Sequence, residues 1–155
     1  MEMDKKQERY QRLKLQIAEL LTKCEDVEAR MATVIAVLHH KIDYFFWTGF
    51  YFLQKDRLIV KTYQGPVACM ELKKNTGVCW AGINQQKTIL VPDVHAFDGH
   101  IACDNRSQSE LVIPFFDNKG NLLGVLDIDS AQKNAFDQTD AENIEEILQL
   151  IFTTP

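Results

Sequence analysis

Four cysteines, Cys24, Cys69, Cys79 and Cys103, carry the first chemical signal in this sequence, and three of them fall in its middle third. Each of the three has small neighbours: Gly65-Pro66-Val67-Ala68-Cys69, Gly77-Val78-Cys79 and Gly99-His100-Ile101-Ala102-Cys103. A single free cysteine is most often a buried small hydrophobe. Three in segments rich in glycine and histidine point instead to thiol redox chemistry. There, one thiolate takes an oxygen to become a sulfenic acid and a second thiol condenses with it to a disulfide. Which cysteine attacks is open. Cys79 lies near the expected N-terminus of a helix, and Cys103 lies close to His95 and His100, and either setting favours a thiolate. The histidines serve equally well as hydrogen-bonding residues that hold a loop. Cys24, ahead of the second helix, reads as an incidental thiol. A Cys3His zinc site from Cys69, Cys79, Cys103 and His95 or His100 is disfavoured, because no Cys-x-x-Cys pair is present.

Carboxylates are the second signal. Glu110 opens one candidate strand, and Asp127 and Asp129 close the next at i and i+2, so the two aspartates share a face of any sheet they join. On a buried face such a pair needs a cation or a shared proton, and the ammonium group of a ligand is one candidate. On an exposed face they are ordinary surface acids, with Leu126 and Ile128 turned to the core. Trp47 and Tyr51 share a face of the first strand and serve either as core aromatics or as a wall against a sulfur-bearing ligand.

The elements that must position these groups follow from periodicity. Tyr10, Leu13, Ile17, Leu20 and Leu21 recur at helical spacing, as do Val27, Met31, Val34, Ile35 and Leu38 after the capping-box pattern Thr22-Lys23-Cys24-Glu25. Residues 1–41 therefore form a helical N-terminus. Tyr44–Leu53 and Arg57–Tyr63 read as a hairpin, followed by a short helix from Gly77, a strand Thr88–Val91 and a long loop from Pro92 to Gln108. Ser109–Phe116 and Asn121–Asp129 flank the turn Asp117-Asn118-Lys119-Gly120, and a last helix follows the capping residues of Asp137–Asp140. The class is α+β: an antiparallel sheet with the N- and C-terminal helices packed together on one face.

Composition agrees with one domain spanning residues 1–155. Apolar residues make up 46 % and charged residues 25 %, which suits a packed core. Seventeen basic against 22 acidic residues give a net charge of −5, the wrong sign for a nucleic-acid or anionic-membrane partner. The most apolar stretch, Tyr44–Leu53, is far shorter than the roughly 20 residues a membrane helix needs. The charged first residues lack the apolar centre of a secretory signal, so a cytoplasmic, reducing setting is expected.

The segments Trp47-Thr48-Gly49-Phe50-Tyr51, Tyr63–Cys69, Gly77-Val78-Cys79, Val91–His95, Gly99–Asp104, Ser109–Pro114 and Gly124–Ser130 together resemble the free methionine-(R)-sulfoxide reductases, which are stand-alone GAF domains. The resemblance runs from about Trp47 through the C-terminal helix. It implies a GAF-like fold with loops over a ligand cavity on the face opposite the terminal helices. It further implies that Cys103 attacks, that Cys69 resolves, and that Cys79 is an additional redox cysteine. Glu110, Asp127 and Asp129 would hold the substrate ammonium and protonate the sulfoxide, with Trp47 and Tyr51 around its methyl group. No metal or bound cofactor is implied; thioredoxin or another dithiol would be the external reductant, and a homodimer the assembly. The role would be recovery of methionine under oxidative stress. Trp80 stands where such domains commonly have glycine, so it either narrows the cavity or simply packs. The alternative reading is a GAF-type small-ligand or redox sensor without turnover.

Overall fold

The computed structural model describes residues 2–100 and 103–155; Ile101 and Ala102, within the Gly99–Cys103 motif, lie outside the described residues. The chain runs α1 (Glu2–Leu21), α2 (Val27–Lys41), β1 (Trp47–Gln54), β2 (Arg57–Gln64), β3 (Glu71–Leu72), α3 (Gly77–Gln85), β4 (Ile89–Val91), β5 (Ser109–Phe116), β6 (Leu122–Ser130) and α4 (Gln138–Thr153). A 3-10 turn, Val94–Ala96, interrupts the long loop after β4. Six strands form one sheet in the order β3-β2-β1-β6-β5-β4, and every neighbouring pair is antiparallel. The chain thus builds two hairpins, β1-β2 and β5-β6, and joins them through the β1-β6 ladder.

Both faces of this sheet are covered, and strand alternation decides which residue meets which layer. Phe50 of β1, Leu111 and Ile113 of β5, and Leu126 and Ile128 of β6 pack with apolar residues of α1, α2 and α4, among them Ile17, Ile35 and Ile147. The residues between them point the other way. Trp47, Tyr51, Val112 and Val125 pack with Val78, Cys79, Trp80 and Ile83 of α3 and with Leu72 and Val94. The terminal helices therefore share one face, as the sequence predicts, while α3 and the loops cover the opposite one. Trp80 packs: its side chain is buried and its Nε1 donates to Leu72 O at 3.2 Å.

Two local expectations are corrected, and one strand is added. The α2 cap is Asp26, whose side chain accepts from Ala29 N at 2.9 Å, and not Thr22, whose hydroxyl donates to Glu19 O at the end of α1. Aspartate stands directly before the first helical residue, where its carboxylate reaches the free amides. The first strand begins at Trp47 and not at Tyr44. Tyr44 turns its hydroxyl to Asp140, and Phe45 packs edge-on against its ring, so both belong to the helix layer. The two-residue edge strand β3 carries too little alternation to be read from sequence.

The terminal helices are locked by polar contacts as well as by burial. Asp140, fully buried near the start of α4, accepts from Lys6 Nζ at 2.6 Å, Tyr10 Oη at 2.6 Å and Tyr44 Oη, and completes a capping box with Asp137. Arg30 of α2 donates to the carbonyls of Ile151 and Thr154 at 2.9 Å, satisfying orphan acceptors at the end of α4. In the β5-β6 turn, Asp117 Oδ1 accepts from Lys119 N and Asn121 N, both at 2.9 Å. Gly120 there has φ 83°, a left-handed conformation that glycine adopts without a Cβ clash.

Candidate active site

Two aromatic residues of β1 pin the loop that carries Cys69. Trp47 Nε1 donates to Pro66 O at 3.0 Å, and Tyr51 Oη donates to Cys69 O at 2.8 Å. Trp47 stacks between Tyr51 and Tyr63, with ring centroids 5.9 and 5.2 Å away. Gly49 makes this possible, because a Cβ there would collide with the Trp47 ring and with Tyr63 Cβ. Glycine inside a strand marks such a close approach.

The loop so held brings Cys69 to Cys103. The two are 34 residues apart in sequence, their Cα atoms lie 5.6 Å apart, and their sulfurs form a disulfide. Cys69 is partly buried and Cys103 exposed, at the mouth of a cavity lined by Trp47, Tyr51, Cys79, Glu110, Asp127 and Asp129. Seven of the eight residues singled out from the sequence thus line one cavity on the α3 face, and Cys69 joins them through its disulfide to Cys103. Cys24 has an exposed thiol and is not among the lining residues.

Register explains how the acids meet. Glu110 of β5 is paired directly with Asp129 of β6, and Asp127 lies two residues on along the same face. Of the two orientations that the alternation leaves open, the structure takes the one with the aspartates over the cavity, because β6 is central in a sheet covered on both faces. Ligand atoms of Cys79, Glu110 and Asp127 all lie within 4.8 Å of one another. Burial pushes Glu110 well above the ordinary carboxyl range, and the charges of Asp127 and Asp129 push it further. Asp129 is raised for the same reasons, by burial first and then by Asp127 and Asp104. Asp127 is raised by burial too, but its interactions with the Glu110 carboxyl and the Cys79 thiol partly offset that rise. Burial and like charge thus favour the protonated form of Glu110, while hydrogen bonds from its neighbours favour the charged form of Asp127.

Cys79 departs from the expectation drawn from its helix position. It sits in the first turn of α3, yet burial, followed by the charges of Asp127, Glu110 and Asp129, raises its thiol well above the ordinary value. Three neighbouring carboxyls and desolvation outweigh the partial positive charge of a helix N-terminus. Cys79 is a protonated thiol here and not a thiolate.

His100 belongs to the cavity as well, a placement that the sequence leaves open. Its Nδ1 lies 3.8 Å from Glu110 Oε1, and burial lowers its pKa, so the ring is neutral near pH 7. His100 Nε2 and Asp127 Oδ1 are buried without a partner among the described residues. Two unpaired polar atoms facing one cavity are costly unless a ligand satisfies them. The signal that could have found His100 is its place three residues before Cys103. His95, by contrast, is exposed and turned to Asp93 at 3.2 Å.

Residues 24–152 match the GAF domain family model. GAF domain-containing protein A of Dictyostelium discoideum is 43 % identical over 94 % of this chain and 92 % of its own. The free methionine-R-sulfoxide reductase of Escherichia coli is 37 % identical over 77 % of this chain and 72 % of its own. The X-ray structure of the free methionine-R-sulfoxide reductase of Neisseria meningitidis, in complex with its substrate, superposes with a TM-score of 0.88 at 35 % identity, covering 94 % of this chain and 87 % of that one. With the sheet order, the cavity and these likenesses in agreement, the chain belongs to the GAF domain family, within the group of the free methionine-R-sulfoxide reductases.

Proposed function

We propose that this chain reduces free methionine (R)-sulfoxide to methionine, using the Cys69–Cys103 pair. The observation that carries the reading is a disulfide at the mouth of a cavity lined by three carboxyls, Glu110, Asp127 and Asp129, and by the stacked aromatics Trp47 and Tyr51. In the reduced protein the Cys103 sulfur attacks the sulfoxide sulfur while Glu110 protonates the oxygen. The oxygen then passes to Cys103: the substrate S–O bond and the transient bond between the two sulfurs break, a Cys103 S–O bond forms, and methionine leaves two electrons richer beside a Cys103 sulfenic acid. The Cys69 thiol then attacks the Cys103 sulfur, the S–S bond forms and water departs. An external dithiol, thioredoxin in our reading, restores both thiols by exchange, so that no bound cofactor takes part.

Asp127 and Asp129 receive the substrate ammonium, which supplies the cation the buried acids lack. A methionine within a peptide has no such charge, and selectivity for the free amino acid follows. Trp47 and Tyr51 enclose the methyl group, where aromatic rings favour sulfur and its substituents. Cys79, a buried thiol beside the acids, is a further redox cysteine able to assist or substitute. The reading includes a cytoplasmic homodimer, and light scattering of the purified chain checks the assembly.

The deciding experiment supplies reduced protein and a thioredoxin system with the R and S epimers of free methionine sulfoxide separately, beside Cys103→Ser. Methionine from the R epimer alone, lost in the variant, is the expected result. A folded, fully reduced parent that yields no methionine from either epimer overturns the proposal in favour of a ligand-binding sensor.

A further inference from the structure

We propose that Cys79, Glu110 and Asp127 form a binding site for a divalent transition-metal ion such as Zn2+, and that an ion bound there blocks the cavity. The three come from different elements, α3, β5 and β6, and their ligand atoms converge within 4.8 Å. They are 4 %, 5 % and 6 % exposed, so the cluster is buried but still reaches the cavity wall. Among the described residues no Lys or Arg side chain forms an ion pair with any of the three.

Three acidic groups packed this closely can stay uncharged only by keeping protons, and Asp127 Oδ1 remains buried without a partner even so. A divalent ion replaces those protons: the Cys79 thiol and the two carboxyls release to solvent the protons they hold, and sulfur and oxygen lone pairs take up the metal. No electron changes hands. The donor set decides which ion fits. One thiolate and two carboxylates suit a borderline ion that accepts both sulfur and oxygen, whereas Mg2+ and Ca2+ favour oxygen alone. Three protein donors leave the fourth position of a tetrahedral ion to water or a ligand group.

The site differs from the Cys3His set disfavoured on sequence grounds, since Cys69 and Cys103 are bonded to each other and contribute nothing. That the ion also excludes the substrate rests on the reading that these acids receive the ammonium group.

The test separates the two statements. Co2+ is titrated into the oxidised Cys24→Ser chain, in which Cys69 and Cys103 are tied up and Cys79 is the one thiol left. One equivalent should produce a thiolate-to-cobalt charge-transfer absorption, reversed by a chelator. Adding Cys79→Ser should abolish the band, and Asp127→Asn should weaken Co2+ binding at least tenfold with Cys79 intact; circular dichroism verifies that each variant is folded. No band, or a band retained without Cys79, overturns the metal site. Saturating methionine should weaken Co2+ at least tenfold. A Cys79-dependent band that methionine leaves unchanged upholds the metal site and overturns the placing of the ammonium on these acids.

Discussion

Glu110 and Asp129 stand directly opposite each other across the β5-β6 ladder, two acids in register that no Lys or Arg side chain pairs among the described residues. Like charges so placed destabilise a sheet. With Asp127 beside them, all three are held above their ordinary values of 4.5 and 3.8, by burial first. An acid raised in the folded state keeps its proton where the unfolded chain has already lost it, so stability falls as pH climbs from the ordinary carboxyl range toward the raised value. In the absence of ligand, urea unfolding of the oxidised chain should show stability dropping between pH 5 and 8. Glu110→Gln should flatten that slope and exceed the parent at pH 8 by about 1 kcal/mol or more. A variant less stable than the parent at pH 8 contradicts this account.

Cys69→Ser isolates the first half of the proposed cycle. Reduced variant mixed with the R epimer should release about one methionine per chain and stop, with Cys103 left as a sulfenic acid that dimedone traps. Mass spectrometry of the adduct reads the outcome. Steady turnover with thioredoxin at the parent's rate would remove Cys69 from the mechanism.

Asp140 ties α1 to α4 through Lys6, Tyr10 and Tyr44. Asp140→Ala leaves a largely buried ammonium and two hydroxyls without their acceptor and should cost about 3 kcal/mol in urea unfolding. Since the contact lies on the helix face, the loss should appear in stability and leave KM near the parent's value under conditions where the variant is folded.

Gly49→Ala tests the aromatic wall. The added methyl group collides with the Trp47 ring and Tyr63, so the stack must shift, at about 1–3 kcal/mol. KM should rise several-fold and the near-ultraviolet circular dichroism of the stacked tryptophan should change. An unaltered KM together with a displaced Trp47 signal would show that this wall does not touch substrate.

Local chemistry made much of this protein readable before any coordinates. Asp137 before a helical repeat, Asp117 and Gly120 between two alternating runs, and tight turns joining successive strands each act over a few residues, so the last helix, the second hairpin and the antiparallel class follow from sequence alone. At the α2 cap and the start of β1 two short-range signals compete, Thr22 against Asp26 and Tyr44 against Trp47, and packing decides between them. The site divides in the same way. Residue types and the spacing within motifs marked the cysteines and acids, and resemblance supplied their proposed parts.

What tertiary structure alone decided is proximity and burial. That Cys69 meets Cys103 across 34 residues depends on Trp47 and Tyr51 pinning a loop. That Asp127 faces a cavity and not solvent depends on β6 lying at the centre of a sheet covered on both faces. That Cys79 keeps its proton depends on acids brought in from β5 and β6. The physical reason is common to all three: a pKa or a sulfur–sulfur contact is set by neighbours distant along the chain, and periodicity reports only the neighbours that are near.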